Sequence, residues 1–298
     1  MVRQYKIHTN LDGTDDKVWD VTNGKVRFYQ PSNLGLQSTN NIWQSNGIGV
    51  MGTRSITQPQ IEFKLETFGE SLEENYRLMK DFINDILNQK FVTLEYQTEI
   101  FQVYADLALA DVTKTEGYGK NGTFSEKITF DIVTKWYTYE NLTFDMIQNG
   151  KVIAGKSKIY GGAAPGSYKY VKGVSYTYYG ETNIERLSRW DIKDEIFSFI
   201  GILYPKLPKT PTGVRFLDDI GNEYTAIVFK AEQLQNYILI NTDVNDEIYQ
   251  GWNGTTSLNL FPVMDFERYR TRIIKKGQME LINLSKAELK IKRKADFV

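Results

Sequence analysis

The clearest helical period in the chain runs from Ser71 to Asn88. Leu72, Tyr76, Met79, Ile83 and Ile86 fall on one stripe of a 3.6-residue period. Phe82 and Leu87 widen that stripe, and Arg77, Lys80, Asp81, Asn84 and Asp85 take the opposite side. Ser71 followed by Glu74 has the spacing of a capping box, which predicts that each side chain satisfies the other's orphan amide. Glu70, Glu73 and Glu74 place negative charge at the positive end of the helix dipole. On either side of the helix the period drops to two. Ile61, Phe63, Leu65 and Thr67 alternate with Glu62, Lys64 and Glu66. Strands are predicted over Phe91 to Tyr96, Ile100 to Val112 and Lys127 to Lys135, the last with Ile128, Phe130 and Ile132 on one face. A lone amphipathic helix among strands must cover a sheet or the end of a sandwich, so the first half is predicted β-rich with one packed helix.

Before this region, Val26 to Tyr29 and Ile48 to Met51 are predicted strands, and Gln30 to Asn46 shows no period and is expected to be a long loop. Leu11 to Asp16 is expected to be a tight acidic turn, because its spacing does not match an EF-hand loop. A boundary is expected near Trp136 to Asn149, where Trp136, Tyr137 and Tyr139 close the first unit. From Ile196 onward the pattern is all-β. Ile196 to Tyr204, Val214 to Leu217, Tyr224 to Phe229, Tyr237 to Asn241, Thr271 to Ile274, Met279 to Leu284 and Ala287 to Ile291 are predicted strands. Lys275 to Gln278 is expected to be a hairpin turn. Short strands at this spacing predict a sandwich or jelly roll. Lys290, Lys292, Arg293 and Lys294 are expected to line a solvated edge.

Composition narrows the function classes. The net charge of −1 over 298 residues leaves no global field to recruit nucleic acid or a membrane surface. The chain has no cysteine, which removes disulfides, thiolate metal sites and cysteine nucleophiles. No run is long and apolar enough to span a bilayer, and the N-terminus lacks a signal core, so synthesis in a cytosol is expected. Residues 146–180 hold no Asp or Glu but five lysines, seven glycines and six tyrosines. Three readings stay open there: a projecting arm for a partner, a pair of hairpins turning at Gly161-Gly162 and Pro165-Gly166, or a single-stranded nucleic-acid site. The arm reading singles out Tyr160, Tyr168, Lys169, Tyr170, Tyr176, Tyr178 and Tyr179 as partner-binding residues.

Catalytic chemistry is not visible. His8 is the only histidine, so a Ser-His-Asp triad or a His-rich metal site would have to be built on it, and its neighbours propose neither. No Gly-rich phosphate loop stands at a strand-to-helix junction. Asp243, Asn245, Asp246 and Glu247 are read as a polar strand-end turn in preference to a cation site. No catalytic, cofactor-binding or metal-binding residue is therefore expected. Taken together, the residues describe a non-enzymatic, two-domain β-rich protein with one exposed, sticky insertion.

The order of Ile61 to Thr67, the helix Ser71 to Asn88, Phe91 to Tyr96, Phe101 to Thr113 and Ser125 to Lys135, closing at Trp136-Tyr137, resembles the distal tail (Dit) proteins of siphophages infecting Gram-positive bacteria. Tyr224 to Phe229 and Leu258 to Arg268 extend the resemblance to the lactococcal group over the whole chain. The resemblance implies a belt domain over residues 1–138 and a galectin-like or carbohydrate-module-like β-sandwich over 139–298. It also implies an arm at about 145–190 and a last strand, 287–298, that stays with the sandwich or returns to the belt. It further implies a homo-hexameric ring at the distal end of the tail tube, joining the major tail (tube) protein to the tail-tip protein. DNA would pass through its opening without specific binding, and the arms would hold receptor-binding protein trimers. The place implied is the virion baseplate, with no membrane partner. The alternative is direct contact with host cell-wall saccharide through Trp252 and Tyr249.

Overall fold

The computed structural model describes residues 3–13, 15–35, 37–114, 124–145, 147–148, 151–152, 157–160, 175–179, 185–230, 235–244 and 246–295. For residues 56, 143–145, 147–148, 151–152, 157–160, 175–179 and 185–189 it describes the backbone alone. The described chain is mainly β with one α-helix, and it divides into two compact units, 1–138 with 295–298, and 139–294.

The first unit is built from β1 (Gln4–His8), β2 (Val18–Asp20), β3 (Val26–Ser32), β4 (Gln37–Ser45), β5 (Ile48–Thr57) and β6 (Ile61–Thr67). Helix α1 (Leu72–Leu87), β7 (Val92–Gln97), β8 (Gln102–Thr113) and β9 (Ser125–Ile132) complete it. One sheet runs β2-β1-β7-β8-β9-β6-β3, antiparallel throughout. It curls until its two ends meet, where the Phe28 amide donates to the Val21 carbonyl at 2.7 Å. The alternation along β6 explains the inside of that curl: Ile61, Phe63, Leu65 and Thr67 are all buried, and the charged residues between them are not. Phe63 stacks on Phe28 at 4.6 Å and meets Tyr5 edge-on at 5.5 Å.

Helix α1 forms where its pattern places it. Ser71 caps it, accepting from the Glu74 amide at 3.2 Å. The reciprocal half of the expected box is shifted, since the Glu74 carboxylate accepts from the Glu70 amide at 2.7 Å. The buried face also differs from the expected stripe: Asn75, Phe82 and Ile86 point inward, whereas Leu72, Tyr76 and Leu87 are 54, 62 and 62% exposed. The apolar arc of α1 is wider than the strip of sheet beneath it, so the sheet covers only one side of the arc. Phe82 fills the gap against Trp19 and Phe28, at 5.3 and 5.8 Å. Burying a side chain of this size contributes about 1.5–3 kcal/mol.

The expected long loop, 30–46, is a correction. Gln37–Ser45 is a strand that pairs with Ile48–Thr57, and these two strands form a separate ribbon. Asn46 and Gly47 have φ of +52° and +80°, the left-handed conformation of a two-residue hairpin turn. The base of the ribbon is fastened, because the Trp136 indole N–H donates to the Leu34 carbonyl at 3.1 Å and Gln60 donates to Asp131 at 2.8 Å.

The second unit takes up β10 (Tyr137–Asp145) after its first residues, then β11 (Ile147–Gln148), β12 (Lys151–Val152), β13 (Ser157–Tyr160), β14 (Ser175–Tyr179) and β15 (Glu185–Ile192). The series continues with β16 (Ile196–Pro205), β17 (Thr212–Leu217), β18 (Glu223–Phe229), β19 (Tyr237–Asn241), β20 (Ile248–Trp252) and β21 (Ser257–Asn259). It ends with β22 (Gly277–Ile282) and β23 (Leu284–Lys294). One sheet has the order β13-β14-β15-β22-β17-β18 and the other β10-β23-β16-β19-β20-β21. Phe216, Phe229, Met279 and Leu281 from the first meet Phe199, Ile240, Tyr249 and Leu289 from the second in one core, which makes a β-sandwich.

Three expectations fail here for identifiable reasons. Thr271 to Ile274 is not a strand: Ile274 makes a single bridge to Ile196, and Gly277 opens β22 instead of closing a turn. The basic run 290–294 is not a solvated edge, because β23 lies between β10 and β16 and Lys292 is 5% exposed. Its ammonium is paired with Asp243 at 3.0 Å, which is how a lysine is tolerated there. The last strand stays in the sandwich up to Lys294, and Ala295 then donates to the Trp136 carbonyl at 2.8 Å in the first unit.

Candidate functional site

The tyrosine- and lysine-rich segment was the first expected site. Of its named residues, Tyr168, Lys169 and Tyr170 lie outside the described residues, as do the turns at 161–162 and 165–166. Tyr160, Tyr176, Tyr178 and Tyr179 lie on β13 and β14. These two strands pair in parallel, with Lys158 opposite Tyr176 and Tyr160 opposite Tyr178. Parallel strands are not the two arms of one hairpin, and the expected pair of hairpins, with its turns at 161–162 and 165–166, lies outside the described residues. Strand β14 then pairs antiparallel with β15, and β13 is left at the end of the sheet with a partner on one side among the described residues.

The expected sugar contacts separate. Tyr249 is a core residue, 4% exposed, with its ring between Phe229 and Phe261 and its hydroxyl donating to Glu247 at 3.0 Å. Burial first, and then Tyr269 and Glu247, push its phenol well above the usual range. Trp252 is half-buried opposite Tyr237, which is 38% exposed. No sugar-stacking pair forms, because only one of the two rings reaches the surface.

The acidic knot is consumed by protein partners. Asp243 holds Lys292, Asp246 accepts from Asn241 at 3.1 Å, and Glu247 takes Tyr249 and, at 3.1 Å, Arg272; Asn245 lies outside the described residues. His8, which its sequence neighbours left without a role, sits between two carboxylates: Nδ1 is 2.6 Å from Asp16 and Nε2 is 2.9 Å from Glu95. Lys6 adds a contact to Glu95 at 2.9 Å. Because β1 and β7 pair with Lys6 opposite Glu95, Lys6 and His8 present themselves to one carboxylate from one face. Burial raises the Glu95 carboxyl, but the bonds from Lys6 and His8 outweigh it and hold the group below its ordinary value. The cluster ties the 9–16 turn to the sheet.

Sequence reasoning missed a cluster of exposed apolar side chains on the β4–β5 ribbon. On the ribbon, Trp43 pairs with Val50 and Ser45 with Ile48, so Trp43, Val50 and Ile48 share one face. They are 69, 63 and 70% exposed, and Ile42 and Met51 on the other face are 53 and 49% exposed. Gly52 leaves room for the indole: a Cβ there would stand 3.4 Å from its ring nitrogen and 3.2 Å from the Asn41 carbonyl. The signal that was available is Asn46-Gly47, a strong short-range hairpin dipeptide.

Comparison with known proteins covers both units. The N-terminal domain model of distal tail proteins matches residues 4–133, and the Dit C-terminal domain model matches 135–298. The distal tail protein of Lactococcus phage p2 is 92% identical over 298 residues, with all of both chains covered. That of Lactococcus phage SK1 is 90% identical, again over the whole of both. Among solved structures, a chain of the phage p2 baseplate in its activated conformation with Ca superposes over its full length with a TM-score of 0.79 at 92% identity. The Dit protein of phage SPP1, a hub adsorption apparatus protein, shares the fold at a TM-score of 0.53 and 11% identity over 98% of each chain.

Proposed function

This chain belongs to the distal tail (Dit) protein family, and on that premise we propose that it is a structural component of a phage baseplate, at the distal end of the virion tail. The observation that carries the reading is near-identity, end to end, with a chain of the phage p2 baseplate. In this reading six copies close into a ring, with 1–138 as the belt and the sandwich outward. The ring joins the tail tube to the tail-tip protein and lets DNA through its opening. Its role is architectural, with no catalytic step.

The segment 145–190 is the arm that holds receptor-binding protein trimers. Two features support that assignment: a composition of Gly, Tyr and Lys suited to adaptable contact, and the terminal position of β13 among the described residues, to which a partner strand can add. Direct binding of cell-wall saccharide is not favoured, since Tyr249 is a core residue.

Light scattering on a sizing column tests the ring. A mass near six times 34.4 kDa is expected, and a monomer at high concentration overturns the reading. Deleting residues 160–179 is expected to leave the six-copy assembly intact while abolishing capture of a co-expressed receptor-binding protein. Retained capture would overturn the arm assignment.

A further inference from the structure

Tyr5 and Ile7 of β1 point into the core of the first unit, so Lys6 and His8 point away from it. Strand register sets Asp20 of β2, Thr93 and Glu95 of β7, and Tyr104 and Asp106 of β8 on that same outer face. Such a face is ordinarily wet, yet His8, Thr93, Glu95 and Asp106 are buried. Most charges around it are answered locally. Asp20 accepts from the Thr22 and Asn23 amides, Asp106 from Thr93 and Tyr137, and Lys17 is paired with Asp85. Asp12 and Asp15 of the 9–16 turn are exposed. The His8 ring faces Asp16 of the turn on one side and Glu95 on the other, with Lys6 on the second oxygen of Glu95. A neutral imidazole has one N–H and one lone pair, and an ionised carboxylate only accepts. With Nδ1 2.6 Å from Asp16 and Nε2 2.9 Å from Glu95, a neutral ring would turn its lone pair on one of the two. They are not equally able to leave. The Glu95 side chain is 5% exposed on a strand between β1 and β8, whereas Asp16, at 19%, ends a turn. A buried carboxylate set against a lone pair cannot turn to water, so the single N–H stays with Glu95 and Asp16 departs.

We propose that His8 is a proton-operated clasp on the 9–16 turn: its imidazolium binds Asp16 and Glu95 together and holds the turn down, and loss of the Nδ1 proton as pH rises releases Asp16 and lifts the turn. The proton passes to solvent and no other bond changes. The turn is therefore closed on the acid side of the imidazole titration and open on the alkaline side. Tyr104 does not compete. Burial, with Glu95 and Asp12 beside it, pushes that phenol up to about 12, so it stays neutral while an imidazole titrates. The clasp is complete within one copy and goes beyond the ring reading without resting on it.

Pulsed amide exchange on the full chain tests it, read as protection relative to the unstructured rate at about pH 6 and about pH 9, on either side of an imidazole's ordinary range. Wild-type amides of residues 9–17 are expected to lose about tenfold or more of their protection between the two. The 218–222 turn, closed by Asp218 on the Ile220 and Asn222 amides, is the internal control and is expected to keep its own. Asp16→Asn puts an N–H donor where a neutral Nδ1 can accept it and leaves an oxygen for the Asn10 amide, so its turn is expected to stay protected at both pH values. His8→Gln has no titrating ring, and its protection is expected to be the same at both. Should His8→Gln fail to fold by circular dichroism, wild type and Asp16→Asn decide between them. Wild-type protection that does not change with pH overturns the inference, and so does an equal change in Asp16→Asn. Neither result touches the six-copy ring.

Discussion

Strand β6 and the β4–β5 ribbon are neighbours in the chain and are made of similar material, yet their surroundings are opposite. Ile61, Phe63 and Leu65 lie between β3 and β9 and face the core of their own unit. Ile48, Val50 and Trp43 also share a face, yet they stand open to solvent. Apolar alternation therefore measures how much cover a strand needs, and it does not say who supplies it. In β6 the chain supplies the cover, and for the ribbon the described residues supply none. Helix α1 stands between the two cases, with Phe82 and Ile86 inside and Tyr76 and Leu72 outside on one element.

The largest effect that can break this contrast is a pair of truncations. Phe63 is 1% exposed, so Phe63→Ala is expected to cost about 3–5 kcal/mol, read as a fall in the urea midpoint. Trp43→Ala, measured on dilute protein, is expected to change stability by less than about 0.5 kcal/mol although it removes a larger ring. Equal losses would mean that the ribbon is covered within its own chain.

The same contrast recurs for charge along β23. Lys292 is buried against Asp243, whereas Lys290, on the same strand, is half-buried with its ammonium 3.9 Å from the centre of the Tyr139 ring. Asp243→Ala is expected to cost about 3 kcal/mol, and Asp243→Ala combined with Lys292→Met to recover much of it, because the loss comes from taking the paired carboxylate away from a buried ammonium. Lys290→Ala is expected to cost less than about 1 kcal/mol. Similar costs for the two sites would remove burial as the deciding variable.

The sequence made the existence of elements legible wherever one face met the chain's own core. The alternation of β6, the cap and extent of α1 and the strands of the sandwich follow from period and punctuation. What stayed hidden depended on surroundings. Strand β4 reads Gln-Ser-Thr-Asn-Asn before Ile42 and has no apolar period, because neither face has a core to match. The stripe drawn on α1 mixed inward and outward residues, since its apolar arc is wider than the face that meets the core. Lys292 looked like an edge residue because its partner, Asp243, lies far away in sequence. The same distance hid the role of His8, whose second partner, Glu95, is on β7. Of the candidate arm, composition alone was readable, and the parallel pairing of β13 with β14 was not.

A smaller effect probes the half-covered helix. Ser71→Ala removes the hydroxyl that accepts from the Glu74 amide, and the expected loss is about 1 kcal/mol in thermal or urea unfolding. Glu74 is also bound to Lys25 and to the Glu70 amide, so the first turn is held from two sides. A loss several times larger would mean that the cap also fixes the exposed strip of α1, and that its covered and uncovered sides are not independent.

The smallest expected effect is confined to acid. Burial pushes the Glu95 carboxyl up, and the bonds from Lys6 and His8 bring it below its ordinary value of 4.5. The sign follows from linkage. Where a carboxyl is harder to protonate in the folded state, its stabilisation is fully present above the unfolded value and is lost as pH falls through the folded one. At neutral pH the group is ionised in both states and adds no slope. Below 4.5 the unfolded chain takes up the proton first, and stability declines with falling pH. Glu95→Gln is expected to remove that part of the acid slope, read by urea unfolding at neutral pH and in steps below 4.5. It should also free the 9–16 turn, which His8 and Asp16 tie to the sheet, to faster amide exchange. An unchanged acid slope would place the responsible carboxyl elsewhere. Unchanged exchange in the turn would mean that its protection does not depend on this cluster.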